Sequence, residues 1–265
     1  MFGYLHLSSN ISLTKALLDK KLTGIATEMI MDGNEYPLLI PMSRIAGNLA
    51  IQKGMQFLEY SSQGKGVLLS SISGEKNSKV TIIGCGEVGR ASIHKSVQIG
   101  ASVTAIDVNE KTLEDLKNKY GENISTIISG TDEAVNAIRS ADLIIGAVLL
   151  PGRKPPVVIT EEDISAMEKG TVIVDVAIDQ GGCVETSKPT THADPTYVID
   201  DVVHYCVANM PGGVPRTSTL ALNAATLPFV LQLAQSGYRD ALNSCLLYTS
   251  PSPRDQRGSR MPSSA

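Results

Sequence analysis

No Cys-x-x-Cys pair occurs in the sequence: Cys85, Cys183, Cys206 and Cys245 stand far apart along the chain. That spacing argues against a zinc site, so no metal is expected, and reduced thiols are the plain expectation. No run of 18 apolar residues exists, so no membrane span is expected. The start, Met1-Phe2-Gly3-Tyr4-Leu5-His6, lacks a basic stretch followed by an apolar one, and no signal peptide is read there. Basic charge is not in excess either. Lys and Arg number 23 against 27 Asp and Glu, a formal net charge of −4, with a pI near 5.6. Nucleic acid and an anionic membrane surface are therefore poor partners. A cytoplasmic location is expected.

What is present starts with Val80–Asp107. The run Val80–Ile83 (V-T-I-I) is short, apolar and β-branched, as a strand buried on both faces requires. It leads into Gly84-Cys85-Gly86-Glu87-Val88-Gly89, a G-x-G-x-x-G turn. A helical stretch, Arg90–Ile99, and a second apolar run, Val103–Ile106, follow, closed by Asp107. Each feature has a job if a dinucleotide binds. Gly84 allows the tight turn, Gly86 lets the backbone approach a pyrophosphate, and Gly89 lets the helix lie close to the strand. The helix N-terminus offers unpaired amides and a positive dipole end. Asp107, about 20 residues on, would accept hydrogen bonds from the adenosine ribose and repel a 2′-phosphate, which favours NAD over NADP.

Upstream, Tyr4–Leu7 reads as an apolar strand, and Ser12–Lys21 as a helix capped from Ser8–Asn10. Gly24–Met31 reads as a strand, followed by a turn at Asp32-Gly33-Asn34. Met42–Tyr60 reads as a long helix with Ser43 in N-cap position, where its hydroxyl either caps the helix or touches a cofactor. Ser61–Ser78 is a Gly/Ser/Lys-rich loop.

After Asp107 helices and strands alternate: Glu110–Tyr120, Ile124–Ile128, Thr131–Ser140, Asp142–Leu149, Glu161–Glu168 and Thr171–Val176. The pattern predicts an α/β fold, a doubly wound parallel (Rossmann) sheet with the ligand at the carboxyl ends of its strands. Gly146–Gly152, Asp175–Gly182 and Val207–Pro215, which follows a last strand at Val202–Cys206, are unusual stretches at such ends. Thr217–Ala234 is a long apolar helix. The expected division is 42–216 as the dinucleotide domain, 1–41 as part of a second, discontinuous domain, and 217–242 as a helix returning to it. From about Asn243 the chain is rich in Ser, Pro and Arg without an apolar period, so 243–265 is expected to be a disordered, non-native extension.

With these stretches side by side, the sequence resembles the alanine dehydrogenase family of the alanine dehydrogenase/pyridine nucleotide transhydrogenase superfamily. The matching residues are Tyr4–Leu7, Pro41-Met42-Ser43 with Ala46-Gly47, Gly84–Gly89, Asp107-Val108-Asn109, Gly146–Gly152 and Val174–Cys183. They continue with Pro189–His192, Ala208–Pro211 and Pro215–Thr219. The run D-V-A-I-D-Q-G-G-C is far more specific than the glycine turn. The resemblance implies NAD-dependent oxidative deamination of L-alanine to pyruvate and ammonium, reversibly, by a homo-oligomer, commonly a hexamer. It implies His6 and Asp179 as catalytic residues. It places cofactor contacts at Ser43, Gly84, Gly86, Glu87, Gly89, Asp107, Ser129, Val148, Leu149, Val176, Ala177, Ile178, Asp179, Val207, Ala208, Asn209 and Met210. No direct role is given to His94, His192 or His204. The family's N-terminal segment, with an arginine and a lysine that grip the substrate carboxylate, has no counterpart before Tyr4, and its last helical segment should follow Leu242. The resemblance therefore implies a substrate domain cut at both ends and impaired turnover. A transhydrogenase subunit and a non-catalytic NAD-binding fragment stay open as alternatives.

Overall fold

The structure, a computed structural model, describes residues 1–7, 10–33, 35–70, 72, 78–150 and 154–243. The expected extension from Asn243 lies almost wholly outside these residues, as do Ser8, Asn34, Pro151-Gly152 and part of the Gly/Ser/Lys-rich loop. The chain divides into two compact units, Met1–Met42 with Arg216–Ala265, and Ser43–Pro215. The first begins with β1 (Phe2–Gly3), α1 (Ile11–Asp19) and β2 (Ile25–Ala26). Asn10 caps α1, its Oδ1 accepting the Leu13 amide at 3.0 Å. The expected strand at Tyr4–Leu7 does not form, and the one expected at Gly24–Met31 is reduced to Ile25–Ala26. Only Phe2–Gly3 pairs with Ile25–Ala26, in parallel. Residues 4–7 leave the strand because His6 takes a left-handed backbone, φ 45°, and because Glu28 accepts the amides of Leu5 and His6 that a neighbouring strand would use. Thr27–Met29 turns as one 3-10 helix.

Helix α2 (Ile40–Phe57) starts two residues before the expected Met42. Ser43 is therefore not the N-cap but the fourth helical residue, and it is buried. Pro41 explains the shift: it tolerates the first turn, where an amide is unpaired in any case and its fixed φ suits the helix.

The second unit is built on seven strands: β3 (Lys79–Ile83), β4 (Ser102–Asp107), β5 (Ile124–Ile128), β6 (Leu143–Gly146), β7 (Val172–Asp175), β8 (Thr196–Ile199) and β9 (Val202–Tyr205). Their order is β5-β4-β3-β6-β7-β9-β8. Every pair is parallel except β8–β9. The antiparallel edge strand is absent from the sequence reading. It is a four-residue T-Y-V-I run returned by Asp200-Asp201, both left-handed (φ 48° and 60°), without a helix to mark a crossover.

Alternation along the strands feeds two cores, as a two-sided sheet demands. Val80 and Ile82, with Val103, Ile145 and Val174, pack against Leu49 and Ile51 of α2, Ile93 of α3 (Glu87–Gln98) and Leu113 of α4 (Glu110–Tyr120). Ile83, Ile106, Ile144 and Ile173 pack on the other face, against Ile138 of α5 (Asp132–Arg139) and Ile164 of α6 (Glu161–Ser165). The sheet is thus doubly wound, a Rossmann-like α/β fold.

The first unit closes with α7 (Pro215–Asn243), which contains Pro228 and a non-helical Gly237. Ala225, Phe229 and Leu233, four apart, lie on a small core of Ile25, Ile30 and Leu38. Among the described residues, Pro215–Gly237 is long and apolar enough (mean hydropathy 1.2) to cross a membrane by length and composition alone, although the sequence has no unbroken apolar run there.

One helix contact is bounded by backbone. A Cβ on Gly47 of α2 would stand 2.3 Å from the Val88 carbonyl oxygen and 2.8 Å from the Ala91 Cβ of α3, and the Ser92 hydroxyl donates to the Gly47 carbonyl at 3.0 Å. Gly47→Ala forces α2 and α3 apart and should cost about 1–3 kcal/mol, read as a lower urea midpoint at unchanged slope.

Candidate functional site

The registers fix where the site residues emerge. Ile83 pairs with Ile106 and with Gly146, Asp107 with Ile128, and Gly146 with Asp175. One sheet edge therefore carries, in spatial order, Ser129, Asp107, the glycine turn, Gly146–Leu149, Val176–Asp179 and, past β9, Val207–Met210. Ligands of open parallel sheets bind at this carboxyl edge, outside the point where strand order reverses. Here that point is β3, flanked by β4 and β6.

The three glycines of the turn differ in what demands them. Gly84 has φ +91°, and a Cβ there would lie 2.6 Å from the Ala147 carbonyl oxygen. A Cβ on Gly89 would overlap the Gly84 carbonyl oxygen at 1.9 Å. Both are required by the chain's own packing. A Cβ on Gly86 would meet no atom among the described residues within 4 Å, so the space beside it is open. Gly86 is the N-cap of α3, and among the described residues no side chain caps it. Open space beside uncapped amides at a helix start suits a phosphate group. Glu87 in the first turn of α3 pairs with Arg44 at 2.8 Å, largely in solvent, a contact of little energetic weight.

Asp107 is tied to the turn. Its Oδ2 accepts the Cys85 amide at 2.6 Å and its Oδ1 the Asn109 amide at 2.9 Å. The strand end that presents a carboxylate thus also sets the loop beside it. Ser129 donates its amide to the Asp107 carbonyl at 3.0 Å. Burial, and after it the Asp107 charge, push the Cys85 thiol up to about 12. A thiol held so far from its thiolate is unreactive.

Asp175 and Asp179 lie four residues apart and do different work. Asp175 is fully buried. Its Oδ1 accepts the Ala177 amide at 3.0 Å, and its Oδ2 accepts the amides of Cys183 at 3.0 Å and Val184 at 3.3 Å. The Cys183 thiol donates to Oδ1 at 3.5 Å. Burial raises the Asp175 carboxyl above the usual range, against the donors that favour its charge, and burial together with Asp175 raises the Cys183 thiol. Asp175 is the hub of the loop that carries Val176–Asp179. The sequence signalled it only as an acid at a strand end. Asp179, by contrast, is exposed, and its Oδ1 accepts the Asn209 amide at 2.9 Å. Loop 176–182 and segment 207–210 are thereby joined.

Among the apolar members, Val176 and Val148 are half-buried, Ala177, Ile178, Val207 and Met210 buried, and Leu149 and Ala208 exposed. Ser43 is buried on α2, within the same unit. His6 belongs to the first unit. It is exposed, its amide donating to Glu28 at 2.7 Å and its ring 6.0 Å from that of Tyr4. No sequence signal singled out Glu28, which holds the His6 backbone in its left-handed form.

Comparison with known proteins gives a consistent result. The family described as alanine dehydrogenase/PNT, C-terminal domain, matches residues 50–247. An alanine dehydrogenase from Halomonas elongata is 52% identical over 244 residues, 91% of this chain and 66% of the relative. One from Staphylococcus haemolyticus is 49% identical over 246 residues, 92% of this chain and 66% of the relative. The chain thus spans just under two thirds of the length of these curated relatives. A solved L-alanine dehydrogenase superimposes with a TM-score of 0.87 at 46% identity, over 94% of this chain and 69% of that one. A transhydrogenase from Sinorhizobium meliloti, at 21% identity and a TM-score of 0.69 over 85% of this chain and 66% of its own, shares the fold.

Asp175→Asn turns an amide donor toward buried N–H groups. It should cost roughly 1–3 kcal/mol, and hydrogen exchange at Ala177 and Cys183 should rise more than in the sheet strands.

Proposed function

We propose, because this chain belongs to the alanine dehydrogenase/PNT family, that it carries the NAD site of an enzyme interconverting L-alanine with pyruvate and ammonium. Gly86 carries the argument: it is the one glycine of the turn whose missing side chain opens onto space rather than onto the chain's own backbone. That space, at an uncapped helix start, fits a pyrophosphate. NAD, when bound, supplies the hydride acceptor; the protein's part is to bind, orient and move protons.

In this proposal Gly84–Gly89 hold the pyrophosphate, with Glu87 and the buried Ser43 beside it, and Asp107 and Ser129 face the adenosine ribose. Asp107 keeps free lone pairs beyond its two backbone bonds, and its charge repels a 2′-phosphate. Val148, Leu149 and Val176–Ile178 form apolar walls for the nicotinamide, with Val207–Met210 continuing the edge. Asp179 orients water or holds the substrate's amino group. His6 is the proton shuttle, since imine hydrolysis near neutral pH suits an imidazole. Residues 1–41 and 217–242 are assigned to the substrate domain. Leu220, Leu227 and Leu231, exposed on α7, support assembly into a homo-oligomer, and the free, buried thiols of Cys85, Cys183 and Cys206 suit a cytoplasmic setting.

Titration with NADH, followed by the fluorescence of the cofactor, should saturate. Asp107→Asn should weaken NADH about tenfold, on the order of 1.4 kcal/mol, and narrow the preference over NADPH. Absence of saturable binding would overturn the proposal. Binding without alanine-dependent NADH formation would leave a nucleotide-binding module, and hydride exchange between two nucleotides would point to transhydrogenase chemistry.

A further inference from the structure

We infer that His192 is a positioning residue for Asp179, acting through the backbone of Asn209. The inference rests on the role proposed for Asp179. Asn209 occupies the left-handed region, φ 52° and ψ 52°, without being glycine. Asparagine tolerates that region better than most non-glycine residues, so the bonds around it fix a conformation the residue can already adopt. Asn209 is held at both of its peptide groups. Its amide donates to Asp179 Oδ1 at 2.9 Å. Its carbonyl accepts the Gly212 amide at 2.9 Å and meets His192 Nε2 at 3.2 Å. A carbonyl only accepts, so Nε2 carries the hydrogen.

The ring is seated by its neighbours. The Thr190 amide donates to the Cys206 carbonyl at 2.9 Å, and the Thr190 hydroxyl to the Pro195 carbonyl at 2.9 Å. Thr191 and Asp194 exchange two bonds of 3.2 Å, Thr191 amide to Asp194 carbonyl and Asp194 amide to Thr191 hydroxyl. These bonds close the turn that presents His192. Opposite, a Cβ on Gly213 would stand 3.1 Å from His192 Cε1, and one on Gly212 3.5 Å from Nε2. The first distance is tighter than ordinary contact and the second is ordinary contact, so it is the missing side chain of Gly213 that leaves the ring its place. The two peptide planes around Asn209 are related by its φ and ψ alone. Gripping the carbonyl therefore keeps the amide aimed at Asp179 and the carboxylate in one orientation.

The test is amide hydrogen exchange by NMR on the whole 15N-labelled chain, with His192→Ala, His192→Gln and Asp179→Ala. His192→Ala should speed exchange of the Asn209 amide tenfold or more while Ile82 and Val174 in the sheet stay unchanged. Asp179→Ala should have the same effect at Asn209. His192→Gln, whose side-chain amide can also donate, should restore most of the protection. Unchanged exchange at Asn209 in His192→Ala would overturn the inference. So would an equal rise at the sheet amides, or a Gln variant no better than Ala. NADH titration of the unsubstituted chain is read separately. Failure there, with the Asn209 coupling intact, removes the functional proposal, whereas NADH binding with no coupling removes only the role of His192.

Discussion

The site edge depends on backbone packed directly against backbone. Gly84 stands where a Cβ would lie 2.6 Å from the Ala147 carbonyl, and Gly89 where one would lie 1.9 Å from the Gly84 carbonyl. The end of β3, the start of α3 and the exit of β6 are thereby drawn together with no side chain between them. Strand pairing alone brings Ile83 beside Gly146, but only two absent side chains let α3 begin within the same turn. The helix start can then face whatever lies beyond the sheet edge. Gly47 repeats the device one layer out, letting α2 lie on α3.

Close packing leaves the loops at that edge short of partners, and carboxylates supply them. Asp107 takes the amides of Cys85 and Asn109, Asp175 those of Ala177, Cys183 and Val184, and Asp179 that of Asn209. In the first unit Glu28 does the same for Leu5 and His6. Hydrogen bonds to charged groups are the stronger ones, and buried amides without acceptors are costly. An acid at a strand end is therefore two things at once, a brace for its own loop and, where lone pairs remain, a contact for a ligand. Asp175, buried with its acceptors filled by the loop, is only the first.

This double use explains what the sequence shows and what it hides. The glycine turn, the strands around it and the Asp107 spacing are legible because steric and dipolar demands fall on single residue types: only glycine meets Gly84's φ of +91°. Helix α4 and strand β5 coincide with the expected Glu110–Tyr120 and Ile124–Ile128, since short flanking turns and strong periodicity leave no latitude. Where a side chain takes over a backbone bond, the pattern misleads. The apolar run at residues 4–7 is strand-like in composition, yet Glu28, more than 20 residues on, claims its amides. Ser43 looks like a cap until Pro41 is weighed as a helix start. Strand β8 is hidden because a hairpin through two left-handed aspartates carries no glycine signal. The distinct parts of Asp175 and Asp179 are invisible in D-V-A-I-D, for burial is decided by the fold.

The same accounting shows where conformational cost collects. His6 and Asn209 are left-handed without being glycine, and Gly181 and Gly182 turn the loop at φ 104° and 76°. Each left-handed non-glycine residue costs on the order of 1 kcal/mol or more. The sheet strands carry no such residues. Strain lies instead in loops and turns, at Lys21, Gln63, Asp200 and Asp201 as well as His6 and Asn209, and at the last two a carboxylate accepts the residue's own amide, Glu28 for His6 and Asp179 for Asn209. A loop held this way keeps one shape because leaving it would break a charge-assisted hydrogen bond. Irregular segments can in this way hold their groups in one arrangement, while the repeating β-α core supplies the stability that offsets the cost.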